Sequence, residues 1–243
     1  MDNTYRFAQA GYELSTMIGT LPSEGGYQPT LNSEVGLFHE SLLSTNDGDI
    51  TVVEAIFVPS DDITDNGVRA VFPFLDTTMV FSREVYQQGR YPSLDLLECS
   101  SSALNPVTIG SAHYNAYLKA KSILEQASSI ERIALLVGES ELSFQDQIVY
   151  KRSKIIKNYM TQMLFVVESQ TGSPGVSVPI EKTVSDVERI VSGEFDQVDP
   201  TSFLYLGSLD ESNIVKRVEE AKNLPSTPMP NSVTRSTTQS QKP

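Results

Sequence analysis

Apolar residues recur along the first part of the chain at helical spacing. From Tyr5 to Ile18 the positions Phe7, Ala10, Leu14, Met17 and Ile18 step by three or four, as on one helix face. Leu31, Val35, Phe38 and Leu42 repeat the step behind Pro29, which suits a helix start. The pattern then changes. Ile50 to Val58 is rich in β-branched residues and predicts a buried strand ending at Pro59, and Thr77 to Phe81 predicts a second one. Alternation of helices and strands predicts an α/β layer architecture up to about Asn105-Pro106. Beyond Pro106 the spacing is helical. It predicts an amphipathic helix over 107–126, a short apolar one over 129–137 ending before Gly138, and a helix opened by Ser143 with Asp146 three residues on, running to about Met163. Val184, Val187, Ile190 and Val191 mark another helix stopped by Gly193, and Ile214, Val215, Val218 and Ala221 a last one. The expected organisation is an α/β domain over 1–106, a helical domain over 107–223 and a tail over 224–243. Twelve of the twenty tail residues are Pro, Ser or Thr, without apolar periodicity, so the tail is expected to be disordered.

Charge narrows the list of partners. Eighteen basic and thirty-one acidic residues give a net charge of -13, which disfavours direct binding to nucleic acid or to an anionic membrane surface and favours a basic partner. Cys99 is the only cysteine, so no internal disulfide is expected, as in a reducing compartment. No run of eighteen apolar residues occurs, and the amino terminus lacks the apolar segment of a signal peptide.

Candidate chemistry is sparse. His39 and His113 are far apart with one cysteine for company, which argues against a zinc site and for ordinary histidines. Gly172-Ser173-Pro174-Gly175 reads as a tight turn, and no Gly-x-Ser-x-Gly elbow is present. The sequence contains no Gly-x-x-x-x-Gly-Lys-Ser/Thr, so no recognisable loop cradles a nucleotide's phosphates. Asp61, Asp62 and Asp65 form an acidic loop, read either as a metal-binding loop or as a solvated turn. Tyr91, between Gly89-Arg90 and Pro92, either stacks on a base or covers a domain edge.

Several strings, taken in order, resemble the beta subunit of the rotary F-type ATP synthase. They are Asp2-Asn3-Thr4-Tyr5-Arg6-Phe7 with Gln9-Ala10-Gly11, Pro22-Ser23 and Gly26-Tyr27-Gln28-Pro29-Thr30-Leu31. Val58-Pro59-Ser60-Asp61-Asp62-Ile63-Thr64-Asp65, Leu75-Asp76-Thr77-Thr78, Arg90-Tyr91-Pro92-Ser93 and Leu104-Asn105-Pro106 follow. His113-Tyr114 and Val137 to Ser143 extend the resemblance into the helical part, over residues 2 to about 223 in all. It implies the later part of a P-loop-type nucleotide-binding α/β domain, from the Walker B strand onward, followed by a helical bundle domain. It further implies ATP or ADP with Mg²⁺ as ligands. Asp2 would order the Mg²⁺ through water, Arg6 would approach the γ-phosphate, and Tyr91 would stack on adenine. The implied partners are alpha-type subunits in a hexameric ring and a central rotor stalk met by Asp61, Asp62, Asp65, Glu139 and Glu141. A membrane ion-translocating sector is implied indirectly, which places the chain peripherally at the cytoplasmic face of the cell membrane or the equivalent organellar face.

Departures from the family pattern are as informative. The family's P-loop, catalytic glutamate and amino-terminal barrel are not in this sequence. Leu164 and Gln170 stand where the family completes its adenine pocket with aromatics, and a base–aromatic stack is worth about 1–3 kcal/mol. The acidic lever is thinned across Glu139 to Asp146, and Thr20 replaces an arginine before Pro22-Ser23. The expectation is a beta-type subunit of a rotary ATP synthase or ATPase, inactive by itself. The alternative is a non-catalytic scaffold subunit of such an assembly.

Overall fold

The computed structural model describes residues 1–23, 25–210 and 214. The expected last helix beyond Ile214 and the tail from Leu224 lie outside the described residues.

The first helix, α1 (Thr4–Met17), starts where Asn3 turns its side-chain oxygen onto the Tyr5 amide, satisfying one of the donors that a helix start leaves free. Helix α2 (Leu31–Glu40) packs on it through Leu31 and Val35, which join Ala8, Ala70 and Val71 in a small core. Gly11 on α1 faces this junction. A methyl group there would fall 2.1 Å from the side-chain amide nitrogen of buried Gln28, so the absent side chain leaves the room that the Gln28 amide fills. Short helices α3 (Asn66–Arg69) and α4 (Arg83–Gln87) follow, capped by Asp65 and Ser82.

The predicted strands are hardly realised. Residues 50–58 run extended, but among the described residues their ladder partners are residues 1–4 alone. Ala55 donates to the Met1 carbonyl at 2.9 Å, and Thr4 donates to the Ala55 carbonyl at 3.0 Å, in a parallel bridge. A parallel strand is stable when covered and paired on both sides, and here one edge has no partner, with Val53 and Phe57 turned out. Of the run 77–81, β1 (Thr77–Thr78) pairs antiparallel with β2 (Ser100–Ser101), and Phe81 adds a single antiparallel bridge to Leu94. The expected α/β layer is therefore present as its helices around an unfinished sheet.

The later part is a helical bundle. After α5 (Pro106–Ile109), one uninterrupted helix, α6 (Ser111–Val137), replaces the two predicted over 107–137. Ser128-Ser129 does not break it, because Ala116, Ala120, Leu124, Ala127, Ile130 and Ala134 keep a single buried stripe at steps of three and four. Helix α7 (Phe144–Tyr159) begins at the predicted cap, with Ser143 accepting from the Asp146 amide, and ends four residues before Met163. The turn at 172–175 follows α8 (Glu168–Thr171), and α9 (Ile180–Ser192) ends at left-handed Gly193. Leu124, Ile155, Ile156, Tyr159, Val187, Ile190, Phe195, Phe203 and Leu209 form the main core, on which Leu96 and Leu97 of the first part also pack. Hydrogen bonds tie the parts together: Gln162 donates to the Tyr91 carbonyl at 2.9 Å, and the Tyr205 hydroxyl donates to the Gly89 carbonyl.

Candidate nucleotide-contacting surface

Pairing of residues 1–4 with 53–57 places Asp2 at the last bridged position before α1, and Arg6 in that helix's first turn. Both side chains are exposed, and neither has a hydrogen bond or ion pair among the described residues. A carboxylate and a guanidinium at the carboxyl end of a parallel segment, where a helix amino terminus adds partial positive charge, form a surface suited to a phosphate with its cation. Beneath it lies a buried polar cluster that the sequence reading missed. Thr4 donates to Glu54 at 2.8 Å, and His39 stands 3.3 Å from the other Glu54 oxygen while its Nδ1 donates to the Val35 carbonyl at 2.7 Å. The His39 ring stacks on Phe74, so the reading of this histidine as an ordinary structural residue agrees with its surroundings. A lone glutamate inside the β-branched run 50–58 was the available signal.

Tyr91 is half-exposed on the loop after α4, edge-on to Tyr86 at 5.6 Å between ring centres. Its backbone is fixed by Gln162, and Leu164 is half-buried two residues further along. Gln170 is exposed on α8. Neither Leu164 nor Gln170 has a ring, so of the three aromatics expected in an adenine pocket Tyr91 alone is present at these positions.

The acidic residues separate into distinct roles. Asp65 caps α3, accepting from the Gly67 and Val68 amides at 2.8 and 3.3 Å and from the Tyr27 hydroxyl at 2.8 Å. Because Tyr27 gives its proton to Asp65, it accepts from Tyr5 at 2.9 Å, and burial and these bonds push its ionisation far up. Asp61 is paired with Arg83 at 2.8 Å, which holds its carboxyl below the usual range, and Asp62 is held down by the hydroxyl and amide of Thr64. Ser60 and Asp61 are both left-handed, at φ 54° and 59°, a conformation that costs a non-glycine residue about 1–2 kcal/mol. Asp61 and Asp62 are thus the outward members of the loop. At the α6–α7 tip, Glu139 is held by Lys154, while Glu141 is exposed. Around them Leu135, Leu136 and Phe144 are 85%, 86% and 79% exposed, so the tip is largely apolar instead of uniformly acidic.

Magnesium prefers octahedral oxygen, usually one or two carboxylates, phosphate oxygens and retained waters. The described residues contain no group of three metal-ligating side chains, and Asp2 fits the more limited task of a single carboxylate acting through water.

Comparison with known proteins bears on this arrangement directly. Residues 1–101 match the nucleotide-binding domain of the ATP synthase alpha/beta family, and residues 105–199 match the C-terminal domain of V and A type ATP synthase. The chain is related to the ATP synthases. It combines a region matching the alpha/beta-type nucleotide-binding domain with one matching the V/A-type C-terminal domain. Its fold is similar to that of a unique ATP synthase subunit, NeqB, from Nanoarcheaum equitans, with a TM-score of 0.65 and 22% identity. That likeness covers 79% of this chain and 46% of NeqB, so the chain spans about half the length of that relative. The likeness to the F-type beta subunit in particular rests on the short strings of the sequence, whereas the helical half matches the V/A-type domain.

Proposed function

We propose that this chain forms the later half of a beta-type subunit in a rotary ATP synthase or ATPase. The observation that carries the proposal is the placement of Asp2 and Arg6, exposed and unpaired among the described residues, at the end of a parallel segment and the start of α1. Arg6 would neutralise charge developing on the γ-phosphate during phosphoryl transfer. Asp2 would orient a water of the nucleotide-bound magnesium, whose chemistry is to neutralise the β- and γ-oxygens. Tyr91 would carry the adenine. The amides and lysine of a P-loop, and a catalytic carboxylate, must come from polypeptide outside this sequence, and the open edge of 50–58 is where parallel strands bearing them would join. Alpha-type neighbours in a hexameric ring, a rotor stalk at Asp61, Asp62 and the 139–141 turn, and an ion-translocating sector would complete the machine. Peripheral location at the cytoplasmic or equivalent organellar face of a membrane follows from that reading. Among the described residues no helix is long and apolar enough to cross a membrane.

The experiment is MgATP turnover by the native assembly containing this chain. Arg6→Ala should lower kcat by about 10²–10³, the usual loss for one donor to developing charge. The 243-residue chain alone should show no turnover.

A second reading, a non-catalytic scaffold subunit, is favoured by one observation: Gln170 is exposed and Leu164 aliphatic where two further aromatics are expected. Unchanged kcat in Arg6→Ala would select it. Calorimetry adds a separate arm. The double change Leu164→Phe with Gln170→Phe should tighten ADP binding if Tyr91 carries the base, and unchanged affinity would mean that the pocket is not used.

A further inference from the structure

A second site lies in the helical half. A cleft of about 700 Å³ opens along α7, between the loop following α4 and residues 199–204. Lys151, Lys154 and Lys157 leave α7 at three-residue steps, roughly 4.5 Å apart along its axis. Arg90 joins them from the α4 loop. Three carboxylates also line the cleft, and two of them are engaged: Lys157 holds both oxygens of Glu131 at 2.8 and 2.9 Å, and Lys154 holds Glu139 while lying 4.2 Å over the Tyr150 ring. The third, Asp199, accepts from the Thr201 amide and stands beyond ion-pair distance of Lys151. Among the described residues, Lys151 and Arg90 therefore have no carboxylate at ion-pair distance. Burial depresses the ionisation of Arg90, only partly opposed by the more distant Glu131, Glu84 and Asp95, and its guanidinium donates to the Gln88 side chain. A surplus of positive charge is thus held in a partly desolvated recess of a chain whose net charge is -13.

Such an arrangement is costly unless something uses it. The donors belong to two different elements and converge from different directions. A carboxylate presents two oxygens in one plane, whereas a phosphoryl group presents three around a tetrahedron and can take an arginine fork and two ammonium groups together. We propose that this cleft binds a small phosphate-bearing anion, with its phosphoryl group between Arg90 and Lys151 and with Lys154 as a third donor. Neither Asp2, Arg6 nor Tyr91 lines the cleft, although Arg90 directly precedes Tyr91, and the proposal does not depend on the nucleotide reading.

The test is a titration of the isotope-labelled full chain with inorganic phosphate, at ionic strength held constant with sodium chloride and followed by amide chemical shifts. Saturable shifts confined to residues 88–90, 139–141, 147–158 and 199–201 are expected. The apparent Kd should weaken by about fivefold or more in Lys151→Gln and in Arg90→Gln, the effect of losing one charge-assisted contact. Lys151→Gln is the decisive variant because among the described residues that side chain makes no hydrogen bond or ion pair, and an unchanged melting curve verifies that the fold is intact. Unsaturable shifts would overturn the proposal, as would equal affinity in Lys151→Gln. Saturation that centres on residues 2–6, and that is lost in Arg6→Gln but kept in Lys151→Gln, would assign phosphate to the nucleotide surface and overturn it too.

Discussion

Replacing Asp186 with alanine should detach the strap over residues 204–209 from the helical bundle. Asp186 on α9 is fully buried, and its Oδ2 accepts from both the Tyr159 hydroxyl and the Leu209 amide, each at 2.9 Å. Alanine leaves two buried donors without an acceptor, at about 1–3 kcal/mol each. Removing the buried carboxylate relieves part of its own desolvation, so a net loss of about 2–4 kcal/mol is expected. Asp186→Asn retains an acceptor oxygen and should lose less. Leu209 is fully buried against Phe203 and Phe195, so the effect should be local first, with its amide losing protection before the rest of α9. Urea unfolding gives the total, and native-state hydrogen exchange gives the location. A loss below about 0.5 kcal/mol, the usual range for surface substitutions, with the Leu209 amide still protected, would refute the reasoning.

Alkaline pH should destabilise the fold through Tyr27 and Tyr159, whose ionisation is pushed upward by burial and by bonds to Asp65 and Asp186. Their contribution is complete below the unfolded-state value of about 10 and is lost as pH rises beyond it, so Tyr159→Phe should flatten stability against pH above about 10 in a denaturant series. Gly193→Ala should lower the melting temperature. Its φ of 92° costs about 1–2 kcal/mol in a non-glycine residue, and the new methyl would fall 2.1 Å from Arg152 Nη2, disturbing the bidentate pair with Asp196. Arg83→Ala should leave the melting temperature unchanged, because both it and Asp61 are exposed and solvent screens the pair.

Helices were legible wherever a cap residue and a one-sided stripe coincided. Ser143, Gly193 and the Leu31–Val35 step each set a boundary or a buried face by local chemistry, and the structure has them where the pattern put them. Two helices were expected over 107–126 and 129–137 where α6 is one, because polar residues between them interrupt composition without interrupting the buried stripe through Ala127 and Ile130. The strands failed for a different reason. Ile50–Val58 has the composition of a buried strand, but a strand is defined by its neighbours, and composition does not say whether they are present. At the candidate site, Asp2, Arg6 and Tyr91 were singled out by resemblance to short strings. The structure puts Asp2 on the parallel bridge before α1, Arg6 in the first turn of that helix, and Tyr91 on a separate loop held by Gln162. Asp65 looked like a surface acid from sequence because its partners, the Tyr27 hydroxyl and two amides, are brought to it only by folding.

The unbroken run of α6 has a mechanical consequence. At 27 residues the helix is roughly 40 Å long, and no proline or glycine interrupts it to absorb bending. From the core residue Leu124 to Val137 the stiff arm is roughly 20 Å, so a pivot of about 10° there would sweep the far end through roughly 3–4 Å. Leu135, Leu136 and Phe144 are at that far end, and Leu124 is anchored in the main core. Small angular adjustments near the anchor therefore become displacements of a few ångströms at the tip, and the reverse path converts a push at the tip into fine repositioning inside the core.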